Sequence, residues 1–387
     1  MKPPRPTLQP KSQFFVELES SRGLAALLVA GMHCARTPLL IAGARVEVRN
    51  IEETGWFWQW LGHLHHVVVY GQHELHHGVL FFFVLSGFLL TASLQQGPAA
   101  MGRAAGRFFL ARLFRIYPAI VATILVFWVA YAWAGIALDP TAYAPGSILR
   151  NLLLLQVNID GVMWTLQVEM VAIPLIFAAF LLRSRFGLGA VAILALTLMI
   201  LSFWGPWNRL GPWGAKFLYP FLVGVIAFHI GRRTVPSLGQ RTGSVVFLLS
   251  VFVFFTIGTI IHQQWQTIGK ASAAAVMIAV LAFAPTVSAS GLLRTRPLRF
   301  LGRVSYSFYL LHPLTLAVIY HQPGVFGAWA VRGIPGIAIS LGLWAATTLA
   351  ILPLAWLMYR TVEVPFVRYG KHFWKLTVAP CRAAPAR

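Results

Sequence analysis

Long apolar runs separated by short polar connections dominate the sequence. Read as helices, about ten of these runs can cross a hydrocarbon core roughly 30 Å thick. They lie at residues 21–43, 78–95, 117–137, 162–182, 187–205, 213–231, 243–262, 268–289, 305–320 and 334–358. The pattern predicts an all-α fold, a polytopic membrane bundle of about ten transmembrane helices.

The predicted membrane domain covers residues 21–363, between a tail of residues 1–20 and a basic tail of residues 364–387. A cleaved signal peptide is the competing interpretation of the first run. Because Arg22 and His33 would interrupt the apolar region of such a peptide, we expect a permanent span.

Composition and charge placement agree with a membrane protein. Hydrophobic residues make up 58% of the 387 residues and charged residues only 11%. The net charge of +21 would suggest a nucleic-acid partner in a water-soluble chain. Here Lys and Arg concentrate in alternate connections and in both tails, as the positive-inside rule requires. We therefore expect both termini in the cytoplasm and no nucleic-acid partner.

The longest non-cytoplasmic connection, residues 44–77, is rich in histidine and tryptophan. Within it, His73, Glu74 and His77 match the H-E-x-x-H pattern of zinc sites. The pattern supplies no third ligand and lies outside the apolar runs, so we expect no metal site. Trp56 and its neighbours favour an amphipathic segment that lies against membrane lipids and covers the outer side of the protein.

Polar side chains inside the first run are the strongest sign of function. Arg22 and His33 fall on the same helix face, about 16 Å apart along the axis. If Arg22 lies at the cytoplasmic surface, His33 lies near the middle of the membrane. Ionisable groups at that depth are costly and usually face a protein cavity. Neighbouring Cys34 is either a small packing residue or an acyl carrier.

Several motifs in register give the chain a family resemblance. They are LESSRGLAALLVAGMH at 18–33, GVLFFFVLSGFLL at 78–90, RLFRIYP at 112–118, WTLQVE at 164–169, FLVGVIAF at 221–228, LGRVSYSFYLLHP at 302–313 and VEVPF at 362–366. With these motifs the chain resembles the membrane acyltransferase family 3, bacterial enzymes that O-acylate surface sugars and related acceptors. One departure is Leu80, which stands where family members often carry an acid.

The resemblance implies an O-acyltransferase, most simply an O-acetyltransferase, of the bacterial inner membrane. The donor would be cytoplasmic acyl-CoA, in particular acetyl-CoA, used as a substrate, so no bound cofactor is expected. The acceptor would be a hydroxyl of a lipid-linked or extracytoplasmic sugar. His33 would be the general base, and Glu169, at a similar predicted depth, would orient it. The alternative is that both residues make ordinary buried helix contacts.

The remaining site candidates would hold the substrates. Arg112 and Arg115, three residues apart at the cytoplasmic mouth of the third run, suit the phosphates of CoA, with Arg22 beside them. Tyr309 and His312 would line a channel for the pantetheine arm, although packing explains them equally well. Two further candidates, Ser86 and Trp164, would contact substrate at the depth of His33, although packing is the simpler explanation of Trp164.

The rival interpretation is a transporter or flippase for a glycolipid or sugar precursor. In that case Arg22, His33 and Glu169 would bind the substrate or relay protons. Such proteins more often show inverted repeats and discontinuous helices, and the sequence shows no internal symmetry. The pattern therefore favours the enzyme.

Overall fold

A computed structural model describes residues 16–41, 56–70, 76–95, 101–208, 210–261, 263–284, 287–321 and 336–378. Every regular element in these ranges is helical. The longer helices are α1 (Val16–Ile41), α2 (Trp56–His65), α3 (His77–Gln95), α4 (Met101–Ala134), α5 (Pro145–Leu152), α6 (Trp164–Phe186), α7 (Leu188–Leu201), α8 (Ala215–Thr234), α9 (Gln240–Ile260), α10 (Gln263–Phe283), α11 (Arg296–His321), α12 (Gly336–Met358) and α13 (Val364–Val378). The predicted all-α fold is confirmed.

Each predicted apolar run coincides with one of these helices. Within the described ranges, seven helical stretches are long and apolar enough to cross a membrane; they contain α3, α4, α6, α8, α9, α10 and α12. The other predicted spans are α1 and α11, whose first turns carry charged residues, and α7, which has only 14 residues. The structure therefore supports a multi-pass membrane protein, while the number of about ten spans stays a prediction.

Helices α1 and α11 lie side by side and run in the same direction. Gly23 faces Gly302, and ten residues further along both helices His33 faces His312. A Cβ atom on Gly23 would lie only 2.7 Å from the backbone nitrogen of Gly302, so glycine is needed where the two backbones meet. This close contact fixes which side chains of α1 and α11 meet further along.

Helices α3 and α8 also pack in parallel. Gly87 lies against the backbone of Phe221, and Gly224 lies against that of Val84. One turn further, the ring of Phe88 meets the ring of Phe228 at 5.2 Å. Helix α3, with Phe221 of α8, forms one wall of the interior cavity described below.

The last helix, α13, packs across the first half of α4. Gly370 lies against Phe114, and Gly106 lies against the ring of Trp374. Part of the predicted C-terminal tail is thus a helix. Its packing holds the stretch of α4 that carries Arg112 and Arg115.

The structure covers only part of the outer connection. Helix α2 corresponds to the predicted interfacial segment, and its Trp56 and Trp60 side chains are exposed. Residues 44–55 and 71–75, which include His73 and Glu74 of the zinc-like pattern, lie outside the described residues. His76 and His77 are buried at the start of α3.

Candidate active site

A cavity of about 430 Å³ lies inside the bundle, between α1, α3, α4, α6 and α11. Its polar lining comprises Glu19, Arg22, Ser86, Ser93, Arg112, Arg115, Thr165, Glu169, Ser305, Tyr306 and Tyr309. Apolar side chains of α3, with Leu166 and Phe221, complete the wall. An interior cavity with a charged end and an apolar wall is typical of a site for a small amphipathic ligand.

Three arginines give the cavity its positive charge. Arg22 and Arg112 interact electrostatically with Arg115 and with Glu169. The Nε atom of Arg112 is buried and has no hydrogen-bond partner among the described residues. A buried guanidinium donor with no protein acceptor is well suited to an anionic oxygen of a ligand.

One buried carboxylate lies near the arginine end, and a second forms a separate ion pair at the start of α1. Glu363, at the end of the π-helical turn that follows α12, accepts a hydrogen bond from the Ser307 hydroxyl and interacts electrostatically with Arg115 and Arg22. Glu17 forms an ion pair of 2.6 Å with Arg294 at the start of α1. The sequence motif around Glu363 is recognisable, but its spacing from α1 gives no sign that the carboxylate lies near Arg22.

Tyr309 connects the cavity wall to the start of α6. Its hydroxyl donates to the backbone carbonyl of Val162 at 3.1 Å and lies 2.9 Å from the hydroxyl of Thr165. Phe82 packs edge-on against its ring, with ring centroids 5.9 Å apart. Tyr309 is thereby held in one orientation, as the prediction of a channel-lining residue requires.

Asp160 stabilises the turn whose Val162 carbonyl accepts the hydrogen bond of Tyr309. Its carboxylate accepts from the backbone N–H of Val162 and so caps the short 3₁₀ turn Gly161–Met163 that precedes α6. Complete burial raises the pKa of Asp160 well above its usual range. Sequence reasoning missed this residue, although an Asp directly before a helix is a usual capping signal.

His33 and His312 form the polar contact beyond Tyr309. The Nδ1 atom of His33 lies 2.8 Å from Nε2 of His312, and the two rings are stacked at 5.1 Å. On its other side, Nδ1 of His312 lies 2.7 Å from the backbone carbonyl oxygen of Tyr309. His312 is completely buried.

With both rings neutral, these distances imply one tautomer for each ring. A carbonyl oxygen only accepts, so His312 carries its proton on Nδ1 and presents a lone pair on Nε2. The Nδ1–H group of His33 donates to that lone pair. The basic lone pair of a neutral His33 is therefore on its Nε2 atom.

The other predicted site residues fall into two groups. Ser86 and Glu169 line the cavity, Glu169 beside the arginines. Trp164 packs between the rings of Phe83 and Phe217, outside the residues that line the cavity. The predicted pairing of His33 with Glu169 stays a prediction, and the structure provides His312 as a partner for the His33 imidazole.

Cys34 and the described histidines of the outer connection are not among the residues that line this cavity. Cys34 is buried, and its sulfur lies 3.5 Å from the Thr347 hydroxyl. The described residues contain no group of three or more potential metal ligands. His73 and Glu74 are outside that range, so the prediction of no metal site is untested.

Apolar helices around a charged cavity define the class of the molecule as a multi-pass membrane protein with an internal polar cavity. The chain belongs to membrane acyltransferase family 3, because the family's acyltransferase-domain model matches residues 15–360. Comparison with curated proteins and with solved structures gave no match. The family membership inferred from the sequence motifs is confirmed, and it supports an acyltransferase activity. The family match does not favour the alternative of a transporter.

Proposed function

We propose that the protein moves an acyl group, in particular acetyl, from cytoplasmic acyl-CoA to a sugar or glycolipid hydroxyl on the far side of the bacterial inner membrane. The observation that carries the proposal is the chain of contacts from Tyr309 through His312 to His33. Tyr309 lines the arginine-rich cavity, whereas His33 and His312 are not among its lining residues and follow Tyr309 further along the bundle.

The arginine end of the cavity would hold the phosphates of acyl-CoA. Guanidinium groups bind phosphate oxygens through paired hydrogen bonds and keep their charge in a buried site. The three arginines of the cavity converge there. Glu169 and Glu363 interact electrostatically with Arg22, and their negative charge limits the repulsion among the arginines. We propose this charge-balancing role for Glu169 in place of the predicted role in orienting His33, which the proposal gives to His312.

The apolar wall between the arginines and Tyr309 would receive the pantetheine arm and the acyl group. Val79, Phe82 and Leu166 contribute to this wall. His312 enters the proposal as the orienting partner of His33, and Tyr309, which lines the cavity, would contact the pantetheine arm.

The chemical step uses the lone pair on Nε2 of His33. This atom accepts the proton of the acceptor hydroxyl while the hydroxyl oxygen attacks the thioester carbonyl carbon. The carbon–sulfur bond then breaks, and the departing CoA thiolate takes the proton from the imidazolium. Throughout, Nδ1–H of His33 donates to His312, which stabilises the imidazolium and holds its orientation.

Transfer across the membrane follows from the position of His33 along α1. The residue lies about 16 Å from Arg22 along the helix axis, roughly half of the hydrocarbon core. A thioester that reaches this depth meets a hydroxyl from the opposite side, and CoA itself never has to cross.

The test is transfer from acetyl-CoA labelled in the acetyl group, in membranes that contain the wild type or His33→Ala. The acceptors are the host's own surface glycans and glycolipids. His321→Ala, at the exposed end of α11, is the matched control. We expect label in a product with the wild type and the control and a loss of at least about 10²-fold with His33→Ala. Equal labelling of the product by the wild type and both variants, at equal protein abundance, would show that His33 is not the base.

A further inference from the structure

Lys270 is a buried cation that the proposed acyl transfer does not use. It lies seven residues into α10, about 10 Å from the start of the helix, and its side chain is only 2% exposed. Lysine at this distance from a helix end usually extends its ammonium group to the interface. The inward position of Lys270 therefore needs a specific explanation.

The neighbouring helix leaves room for the ammonium group. Gly258 of α9 lies opposite, and a Cβ atom there would be 3.0 Å from Nζ of Lys270. Gln266, one turn earlier on α10, is also buried and faces the same glycine. A side chain at position 258 would collide with the Gln266 and Lys270 side chains, so the glycine makes room for both polar groups between α9 and α10.

A histidine from α3 completes the cluster. His77 is 1% exposed, packs against the rings of Phe254 and Phe255, and interacts electrostatically with Lys270. Within the described part of the chain, Lys270 makes no hydrogen bond and no ion pair. A buried ammonium group with no counter-ion among the described residues is strongly unfavourable, and an anionic ligand at this place would supply the negative charge.

The cluster lies beside the face of α1 that carries His33. Gly78, which follows His77, packs against Ala25 and Val29 of α1. Viewed down the α1 axis from Ala25, the side chain of Val29 is displaced by about 40° and that of His33 by about 80°. His33 thus projects between the α3 side of α1 and the α11 side, one turn beyond Val29.

We propose that Lys270, with His77 beside it, binds an oxyanion of the acyl acceptor, either a lipid phosphate or the carboxylate of an acidic sugar. The anion would anchor the acceptor in the space between α9 and α10 while its hydroxyl reaches His33. The identity of the ligand as the acceptor rests on the acyltransferase function proposed above; the anion site itself does not.

The experiment measures binding of alkyl anions to the purified full-length protein in dodecyl maltoside, without any acyl donor. The probes are dodecyl phosphate and dodecyl glucuronide, and the neutral detergent is the reference. Thermal unfolding is followed by tryptophan fluorescence. The variants are Lys270→Gln, Lys270→Arg and Gly258→Ala, with Lys216→Gln as a control at another lysine and Arg115→Gln as a control in the cavity.

We expect at least one anionic probe to stabilise the wild type and Lys216→Gln. In Lys270→Gln and Gly258→Ala its dissociation constant should rise roughly tenfold or more, since a charge-assisted hydrogen bond is lost or displaced. Lys270→Arg should retain part of the binding. Preference for the phosphate would identify a lipid phosphate, and preference for the glucuronide an acidic sugar.

Equal affinities of the wild type and Lys270→Gln would overturn the proposal, as would the absence of binding by both anionic probes. Loss of the anion effect in Arg115→Gln alone would place the anion in the arginine cavity and also overturn it. Because no turnover is measured, these results are separate from those on His33. Probe binding with no His33-dependent transfer would leave the anion site standing without the acyltransferase mechanism.

Discussion

At the scale of single residues, a carbonyl oxygen decides the protonation pattern of two histidines. The Tyr309 carbonyl accepts from His312, which accepts from His33, and the basic lone pair is thereby directed to Nε2 of His33. The sequence predicts that His33 and His312 belong to one site. It does not predict that they touch, because depth along a helix says nothing about which neighbouring helix a side chain faces.

The first prediction concerns His312. His312→Ala removes the acceptor for Nδ1–H of His33 and should lower kcat by roughly 10²-fold or more, with a smaller effect on the KM for acyl-CoA. His312→Gln carries an amide oxygen that can accept the same hydrogen bond and should recover part of the lost rate. The measurement is kcat and KM of both variants, with the pH profile of kcat. Equal loss in both variants would contradict the tautomer assignment.

A second prediction concerns the arginine end. Arg112→Gln should raise the KM for acyl-CoA by about 10- to 100-fold and leave kcat nearly unchanged, because phosphate binding is the same in the ground state and the transition state. Arg107→Gln, on the same helix but outside the cavity lining, is the control. A fall in kcat at saturating donor would show that Arg112 acts in the chemical step instead.

At the scale of helices, the site depends on how closely α1 and α11 pack. The apolar runs predict both helices, yet the glycines that allow their contact are spread over two distant motifs. Only the folded structure shows that Gly23 meets Gly302. Parallel packing of two distant helices needs long-range information that periodicity does not contain.

The third prediction tests that contact. In Gly23→Ala a methyl group would lie 2.7 Å from the backbone of Gly302, so α1 and α11 must separate. We expect destabilisation by about 1–3 kcal/mol and, because the 2.8 Å contact of His33 with His312 is disturbed, a loss of transfer activity. Gly342→Ala in α12, where a methyl group meets nothing within 4 Å, is the matched control. Similar stability and activity of both variants would rule out a close approach at Gly23.

At the scale of the whole molecule, charge asymmetry predicts the orientation in the membrane. Seven helical stretches of the described chain have the length and hydropathy of a span, while α1, α7 and α11 do not meet both conditions. The parallel packing of α3 with α8 is expected if α4, α6 and α7 each cross once between them. If α1, α7 and α11 also cross the membrane, hydropathy alone undercounts the spans, because α1 and α11 carry charges and α7 is short.

The fourth prediction tests this orientation with two exposed glycines that have free space around them, Gly146 and Gly239. The background replaces Cys34 with Ala and Cys381 with Ser. In intact cells, a membrane-impermeant maleimide should label Gly146→Cys, in the connection between α4 and α6. It should label Gly239→Cys, before α9, only after the cells are permeabilised. The reverse labelling pattern would show that the molecule has the opposite orientation in the membrane. Labelling of both cysteines in intact cells would require a different number of spans between them.

The measurement that tests the central claim most directly uses sealed membrane vesicles and acetyl-CoA labelled differently in its acetyl and CoA parts. In inside-out vesicles, we expect the acetyl label on acceptors inside the lumen and the CoA label entirely outside. Right-side-out vesicles and His33→Ala should show no transfer. Transfer by right-side-out vesicles, or CoA label inside the lumen, would contradict an acyl group that passes through the protein from the arginine cavity to His33.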